Sequence, residues 1–172
     1  MGDGGGDLQS PWHIFFGKYF SHSTILDVGA GIGKSKQRLE ANNNIVTTQD
    51  INPTRVGLVD IIDPIETIDT KFDYVVSFDV IEHVSRLKLF LEEKRRLSLQ
   101  GILDTTPNWY KYPRVYHFTS VHLDILYHNI FGKCDYSYFF RIKGSESDTI
   151  ESVSRDVFLN DKEAYAYGIL VE

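Results

Sequence analysis

The chain has 172 residues, 42% of them hydrophobic and 24% charged, with a formal net charge of -6. That length suits one domain of about 100 to 200 residues with a packed core, and the negative balance argues against a nucleic-acid partner, which needs a basic surface. The single cysteine, Cys134, leaves no internal disulfide, and no stretch reaches the roughly 18 to 20 apolar residues of a membrane span, so the expectation is a cytoplasmic protein with no membrane partner.

Met1 to Asp7 is rich in glycine and aspartate, and residues 1–10 are predicted to form a flexible tail before a single domain over 11–172. Trp12, Phe15, Phe16, Tyr19 and Phe20 fall at helical spacing, with Pro11 suited to a first helical position; this helix is placed beside the mouth of the site. A strand over Thr24 to Val28 leads to a helix from Gly33 to about Ala41, stopped by the turn-forming run Asn42-Asn43-Asn44. The next strand, Ile45 to Gln49, ends at Asp50, and the apolar segment Val56 to Ile62, halted by Pro64, is counted as a third. Phe72 to Phe78 is a nearly continuous apolar run, as in a parallel strand covered on both faces. Between Ser85 and Leu97 a helical face of Leu87, Phe90, Leu91 and Leu97 leaves Lys94-Arg95-Arg96 as a solvated basic run. A fifth strand, Ile102 to Thr106, runs into Pro107-Asn108; Ser120 then caps a helix through Phe131, with Gly132 as its stop. Two β-rich stretches, Asp135 to Ile142 and Ala164 to Val171, follow. This order predicts an α/β fold, a doubly wound and mostly parallel sheet in a three-layer sandwich, with its ligand beyond the carboxyl ends of the strands. Cys134 reads as a small buried apolar residue.

The most informative segment is Thr24-Ile25-Leu26-Asp27-Val28-Gly29-Ala30-Gly31-Ile32-Gly33-Lys34-Ser35, with Asp50 seventeen residues after Gly33. Glycine at alternate positions allows positive φ and lets a ligand lie against the backbone, while the N–H groups of a following helix favour an anion. Asp50 stands where a carboxylate can accept both hydroxyls of a ribose; its plain alternative is a surface carboxylate closing a strand. A Walker phosphate loop fails because the glycine needed five positions before Gly33 is Val28. A dinucleotide fingerprint would need a last glycine at Lys34 or at Lys36, which weakens a nicotinamide-dependent oxidoreductase but keeps it as a rival reading.

What remains, Asp-x-Gly-x-Gly-x-Gly from Asp27 to Gly33, resembles the first motif of class I S-adenosylmethionine-dependent methyltransferases, and the likeness runs from about Ile25 to Phe131. The resemblance implies a Rossmann-like sheet ending in an antiparallel strand, with S-adenosylmethionine as cofactor and S-adenosylhomocysteine as product. It places Asp27, Gly29, Ala30, Gly31 and Gly33 on the methionine part, Asp50 on the ribose, and Asp60 with Ile61 at the adenine; Ile51 and Phe78 complete the set. Asp63 competes with Asp60, which is preferred because the family often has an acidic residue just before this stretch.

Phe72 to Val84 looks like the fourth strand and exit loop of the branch that includes ubiquinone-pathway O-methyltransferases, and Thr106-Pro107-Asn108 also fits that branch. The Asp/Asn-Pro-Pro-aromatic signature of amino-group methylation on adenine or glutamine is missing after Ser77, which disfavours N6-adenine chemistry; oxygen of a small molecule or sugar is the expected acceptor. Methyl transfer is an in-line displacement that needs alignment and, for a hydroxyl, a base. His83 is the candidate base, since a neutral imidazole accepts a proton; its alternative is to cap or pack the helix beginning at Ser85. No metal is expected, although Asp79, Glu82 and His83 with the distant His117 form an alternative magnesium or manganese set. Trp109 to Tyr116, with Lys111 and Arg114, would wall an acceptor pocket. His117, His122 and His128 carry no ligand spacing among themselves. Self-association stays open, and the short connection between Asp63 and Phe72 keeps a non-catalytic binding protein of the same fold as an alternative.

Overall fold

The computed structural model describes residues 10–107, 120–132, 137–143, 149–161 and 164–172. In chain order these form α1 (Ser10–Tyr19), β1 (Thr24–Val28), α2 (Lys36–Leu39), β2 (Ile45–Gln49), β3 (Phe72–Phe78), α3 (Leu87–Leu97), β4 (Ser98–Pro107), α4 (Ser120–Phe131), β5 (Ser137–Lys143), β6 (Ile150–Val153), α5 (Arg155–Asn160) and β7 (Ala164–Val171). One seven-stranded sheet runs in the order β2-β1-β3-β4-β7-β5-β6. Strands β2, β1, β3 and β4 pair in parallel, whereas β7 joins β4 antiparallel and carries β5 and β6 antiparallel beyond it. The predicted Rossmann-like, doubly wound sheet with an antiparallel terminal portion is therefore the fold.

Burial explains the strand patterns. In β3, Val75 and Val76 point to opposite faces and both are fully buried, as a strand sandwiched between helices requires. On one face Leu26, Val75, Ile102, Leu91, Leu123 and Tyr127 form a core under α3 and α4. On the other, Trp12, Phe16 and Phe20 of the α1 region pack on Ile25, Val46, Val76, Leu103 and Phe140. Gly17 lets α1 approach α2, because a Cβ there would sit 2.1 Å from the Arg38 carbonyl oxygen.

Several expectations are corrected. The helix expected from Gly33 to Ala41 is reduced to the single turn of α2, followed by a 3-10 turn over Ala41–Asn43. Asn42 and Asn43 take positive φ of 61° and 62°, which ends any continuation. The segment from Val56 to Ile62 is no strand: it makes only isolated bridges, Gln49 with Ile61 and Val56 with Val59, around Gly57 at φ 79°. No residue of α1 lines the cavity described below; its aromatic stripe is spent on the core. Lys94 is not solvated but fully buried. Strand β6 and helix α5 lie in a stretch to which the sequence pattern assigned neither. Cys134, Trp109 to Tyr116, His117 and Met1 to Asp7 fall outside the described residues. Among the described residues no helix is long and apolar enough to cross a membrane.

Candidate functional site

Three strand ends meet at the carboxyl edge of the parallel half of the sheet, and a cavity of about 280 Å³ opens there. Gly29 from the β1 exit, Gln49, Asp50 and Ile51 from the β2 exit, and Val80 and His83 from the β3 exit line it, with Ile65, Arg86 and Phe90 among the rest of its wall.

The β1 exit is a tight bend. Gly29, Gly31 and Gly33 have φ of 72°, 62° and 72°, a region costly for any residue with a Cβ. Four of its N–H groups are committed within the protein: Gly29 N donates to Gln49 Oε1 at 3.4 Å, Ala30 N to the Gln49 carbonyl at 2.9 Å, Gly31 N to Asp50 Oδ2 at 2.9 Å and Gly33 N to the Ala30 carbonyl at 2.9 Å. The anion-binding helix start expected after the bend is absent, since α2 has only four residues. Asp27 stands behind the bend, 2% exposed, and accepts a short hydrogen bond from Ser35 Oγ. Burial pushes its carboxyl up to about 7, against the opposing pull of the Ser35 hydroxyl and the Lys94 ammonium.

At the β2 exit Asp50 Oδ1 accepts from Asn52 N at 2.8 Å while Oδ2 holds Gly31 N, so each carboxylate oxygen keeps lone-pair capacity for a further donor. Asp60 is used differently. Both its oxygens accept from Lys36 Nζ at 2.8 Å, and Oδ2 also accepts from Thr48 N and Thr48 Oγ1. These donors outweigh its partial burial and hold its carboxyl below the ordinary range. Asp60 stands outside the cavity lining, as do Asp27, Ala30, Gly31, Gly33, Ile61 and Phe78. Phe78 is buried with its ring 4.6 Å from that of His13. The cavity thus gathers Gly29, Asp50, Ile51 and His83 from the expected set.

At the β3 exit Asp79 takes φ 55° and accepts from Thr105 Oγ1 at 3.1 Å; burial raises its carboxyl to about 6. Glu82 is 3% exposed, its Oε2 has no hydrogen-bond partner among the described residues, and burial together with the neighbouring Asp79 pushes it up to about 8. His83 is exposed on the cavity wall, with its backbone N–H turned back to the Val80 carbonyl at 2.9 Å. Among the described residues no three His, Cys, Asp or Glu side chains come together as a metal-ligand set, and His117 lies outside them.

Beneath this edge Lys94 anchors β3 to β4. Its Nζ donates to Asp104 Oδ1, to the Leu103 carbonyl at 2.7 Å and to Ser77 Oγ at 3.1 Å, and Tyr127 donates to the other Asp104 oxygen. Burial lowers the Lys94 pKa, and Asp104 works against that shift.

Sequence reasoning missed Gln49, Val80, Arg86 and Phe90 as cavity residues. The adjacency of Gln49 to Asp50 and the place of Val80 in the exit loop were the available signals; Phe90 was read as core because it shares a helical face with Leu87 and Leu91.

Residues 26–103 match the family described as a methyltransferase domain. No curated protein sequence matches the chain. Among solved structures the chain is similar to a Thermotoga maritima S-adenosylmethionine-dependent methyltransferase described as a possible histamine N-methyltransferase, with a TM-score of 0.70 at 14% identity over 92% of this chain and 86% of that one. It is also similar to the Burkholderia thailandensis 1,6-didemethyltoxoflavin-N1-methyltransferase bound to 1,6-didemethyltoxoflavin and S-adenosylhomocysteine, with a TM-score of 0.66 at 14% identity over 98% and 79%. A third likeness is to the magnesium protoporphyrin IX methyltransferase of Synechocystis PCC 6803 with bound S-adenosylmethionine, with a TM-score of 0.60 at 13% identity over 96% and 79%. At these identities the likeness is one of fold.

Proposed function

We propose that the chain, whose residues 26–103 match a methyltransferase-domain family, is a class I S-adenosylmethionine-dependent methyltransferase that transfers a methyl group from S-adenosylmethionine to an oxygen of a small molecule or sugar. One observation carries the reading: a single cavity is bordered by Gly29 at the start of the glycine bend, by Asp50 and by His83. The donor set suits the cofactor, because Asp50 lines the cavity with acceptor capacity to spare and Gly29 brings bare backbone to its wall.

The cofactor, when bound, supplies a methyl group activated by a positive sulfur. The chain's own residues do the rest. Asp50 would accept hydrogen bonds from the ribose hydroxyls, Gly29 and Ile51 would border the remainder of the molecule, and apolar Val80 and Phe90 limit water in the cavity. His83, exposed on the same wall, takes the proton of the acceptor hydroxyl as the new C–O bond forms. The resemblance of Phe72 to Val84 to the ubiquinone-pathway branch favours oxygen over nitrogen.

Calorimetry tests this. S-adenosylhomocysteine should bind and NAD should not. Asp50→Ala should remove charge-assisted hydrogen bonds worth about 1.5 to 3 kcal/mol each. Binding of NAD in place of S-adenosylhomocysteine would return the chain to the oxidoreductase reading, and unchanged affinity in Asp50→Ala would take Asp50 out of the site.

A further inference from the structure

We propose that Gln49 is a positioning residue, whose side-chain amide ties the glycine bend to the backbone at Asp63 and so sets the separation of two walls of the cavity. The inference rests on the cofactor reading above.

Gln49 is the last residue of β2, 3% exposed, and its edge reaches the cavity. It is paired with Val28 on the β1 side and bridged to Ile61 on the other, so it lies between the β1 exit, whose Gly29 lines the cavity, and the segment that leads through Asp63 to the lining residues Ile65 and Glu66. Its Oε1 accepts from Gly29 N at 3.4 Å and its Nε2 donates to the Asp63 carbonyl at 2.5 Å. Its own carbonyl accepts from Ala30 N at 2.9 Å. One wall is therefore held by its main chain and side chain together, and the other by the far end of the same side chain.

The chemistry of this bridge is narrow. It needs an acceptor toward Gly29 and a donor toward Asp63 at the end of a three-carbon reach, and a primary amide of that length supplies both. Glutamate keeps the shape but offers a second acceptor to the Asp63 carbonyl. Methionine keeps the length and offers neither partner a normal hydrogen bond.

Beyond Asp63 the chain turns through Pro64 into Ile65 and Glu66, which also line the cavity. Moving the Asp63 carbonyl thus moves cavity wall. A ligand that touches both walls depends on their separation, whereas a ligand that leaves one of them untouched does not. S-adenosylhomocysteine, whose methionine part the resemblance sets on the glycine bend, is of the first kind, and adenosine, which lacks that part, is of the second.

The test uses the full chain with Gln49→Glu and Gln49→Met, measuring S-adenosylhomocysteine by calorimetry, adenosine by ligand-observed NMR, and thermal unfolding without ligand. Both variants should fold and should bind S-adenosylhomocysteine about tenfold more weakly, the worth of one hydrogen bond, while adenosine affinity stays within about twofold. Wild-type affinity for S-adenosylhomocysteine in either variant overturns the inference. So does an equal loss for both ligands, or failure of both variants to fold, since the amide would then serve stability alone. Should wild type itself not bind S-adenosylhomocysteine, the cofactor reading falls first, and that outcome is distinct from the others.

Discussion

Alanine at the three glycines of the bend separates two physical costs that the sequence motif merges. At Gly31, φ is 62° and a Cβ would meet nothing within 4 Å, so Gly31→Ala carries only the left-handed backbone penalty of about 1 to 2 kcal/mol. At Gly29, φ is 72° and the same Cβ would lie 2.7 Å from Val80 Cγ2 and 3.0 Å from Cγ1, adding an overpacking cost of about 1 to 3 kcal/mol. At Gly33 the obstacle is the Leu58 carbonyl oxygen at 2.4 Å, which is backbone and cannot rotate away as a side chain does. The expected order of destabilisation is Gly33→Ala, then Gly29→Ala, then Gly31→Ala, read as urea midpoints at constant m-value. Val80→Ala removes both offending methyls, so in a double-mutant cycle it should recover the steric part at Gly29 and nothing at Gly33. If Gly29→Ala costs no more than Gly31→Ala, or if Val80→Ala recovers nothing, the packing of the bend against the β3 exit is not what requires glycine there.

Three further outcomes follow from the site and its support. His83→Ala should reduce label transfer from S-adenosylmethionine to hydroxyl-bearing acceptors by about 10² to 10⁴ and leave S-adenosylhomocysteine affinity nearly intact; an equally active variant assigns the proton elsewhere. Lys94→Met leaves the Asp104 carboxylate buried without its cation and should cost about 3 to 5 kcal/mol, part of which Lys94→Met with Asp104→Leu should restore; a single-variant cost below about 1 kcal/mol would contradict the buried pair. Glu82, raised to about 8, keeps its proton in the native chain over a range where the unfolded chain, titrating near 4.5, has lost it. By linkage this favours the native state at low pH and is lost as pH rises toward 8. Wild type should therefore lose stability relative to Glu82→Gln between pH 5 and 8, by at most about 1.4 kcal/mol per pH unit, and a pH-independent difference in urea midpoints would refute it.

The parallel half of the sheet was legible because its strands carry short, largely apolar runs suited to two-sided burial, and the helix over Ser120–Phe131 because its apolar spacing and its glycine stop are local signals. Lys94 was not legible. A lysine at a helical position flanked by Arg95 and Arg96 reads as solvated, and only the approach of Asp104, Ser77 and Tyr127 from other elements supplies the partners that permit its burial. The same limit applies to Gln49, whose two bonds reach the segments on either side of β2. Sequence pattern locates the exits of strands, and with them Gly29, Asp50 and His83; which carboxylates face the cavity depends on donors contributed from a distance.

Asp60 makes that dependence concrete. Strand β2 stands at the end of the sheet, and among the described residues it is bordered beyond by the short stretch around Asp60 and Ile61. That stretch satisfies the edge through backbone and side chain together: Asp60 N and Ile61 N donate to the Thr48 carbonyl, Asp50 N donates to the Ile61 carbonyl, and the Asp60 carboxylate takes the Thr48 N–H that a neighbouring strand would otherwise accept. Lys36, from α2, then closes over the remaining charge. A carboxylate already accepting from Thr48 N, Thr48 Oγ1 and an ammonium has little left to offer a ligand, and its position beside the glycine bend is explained by the sheet edge it completes. Asp50 accepts two bonds fewer and lines the cavity, so it is the carboxylate with acceptor capacity for the ligand of the proposed function.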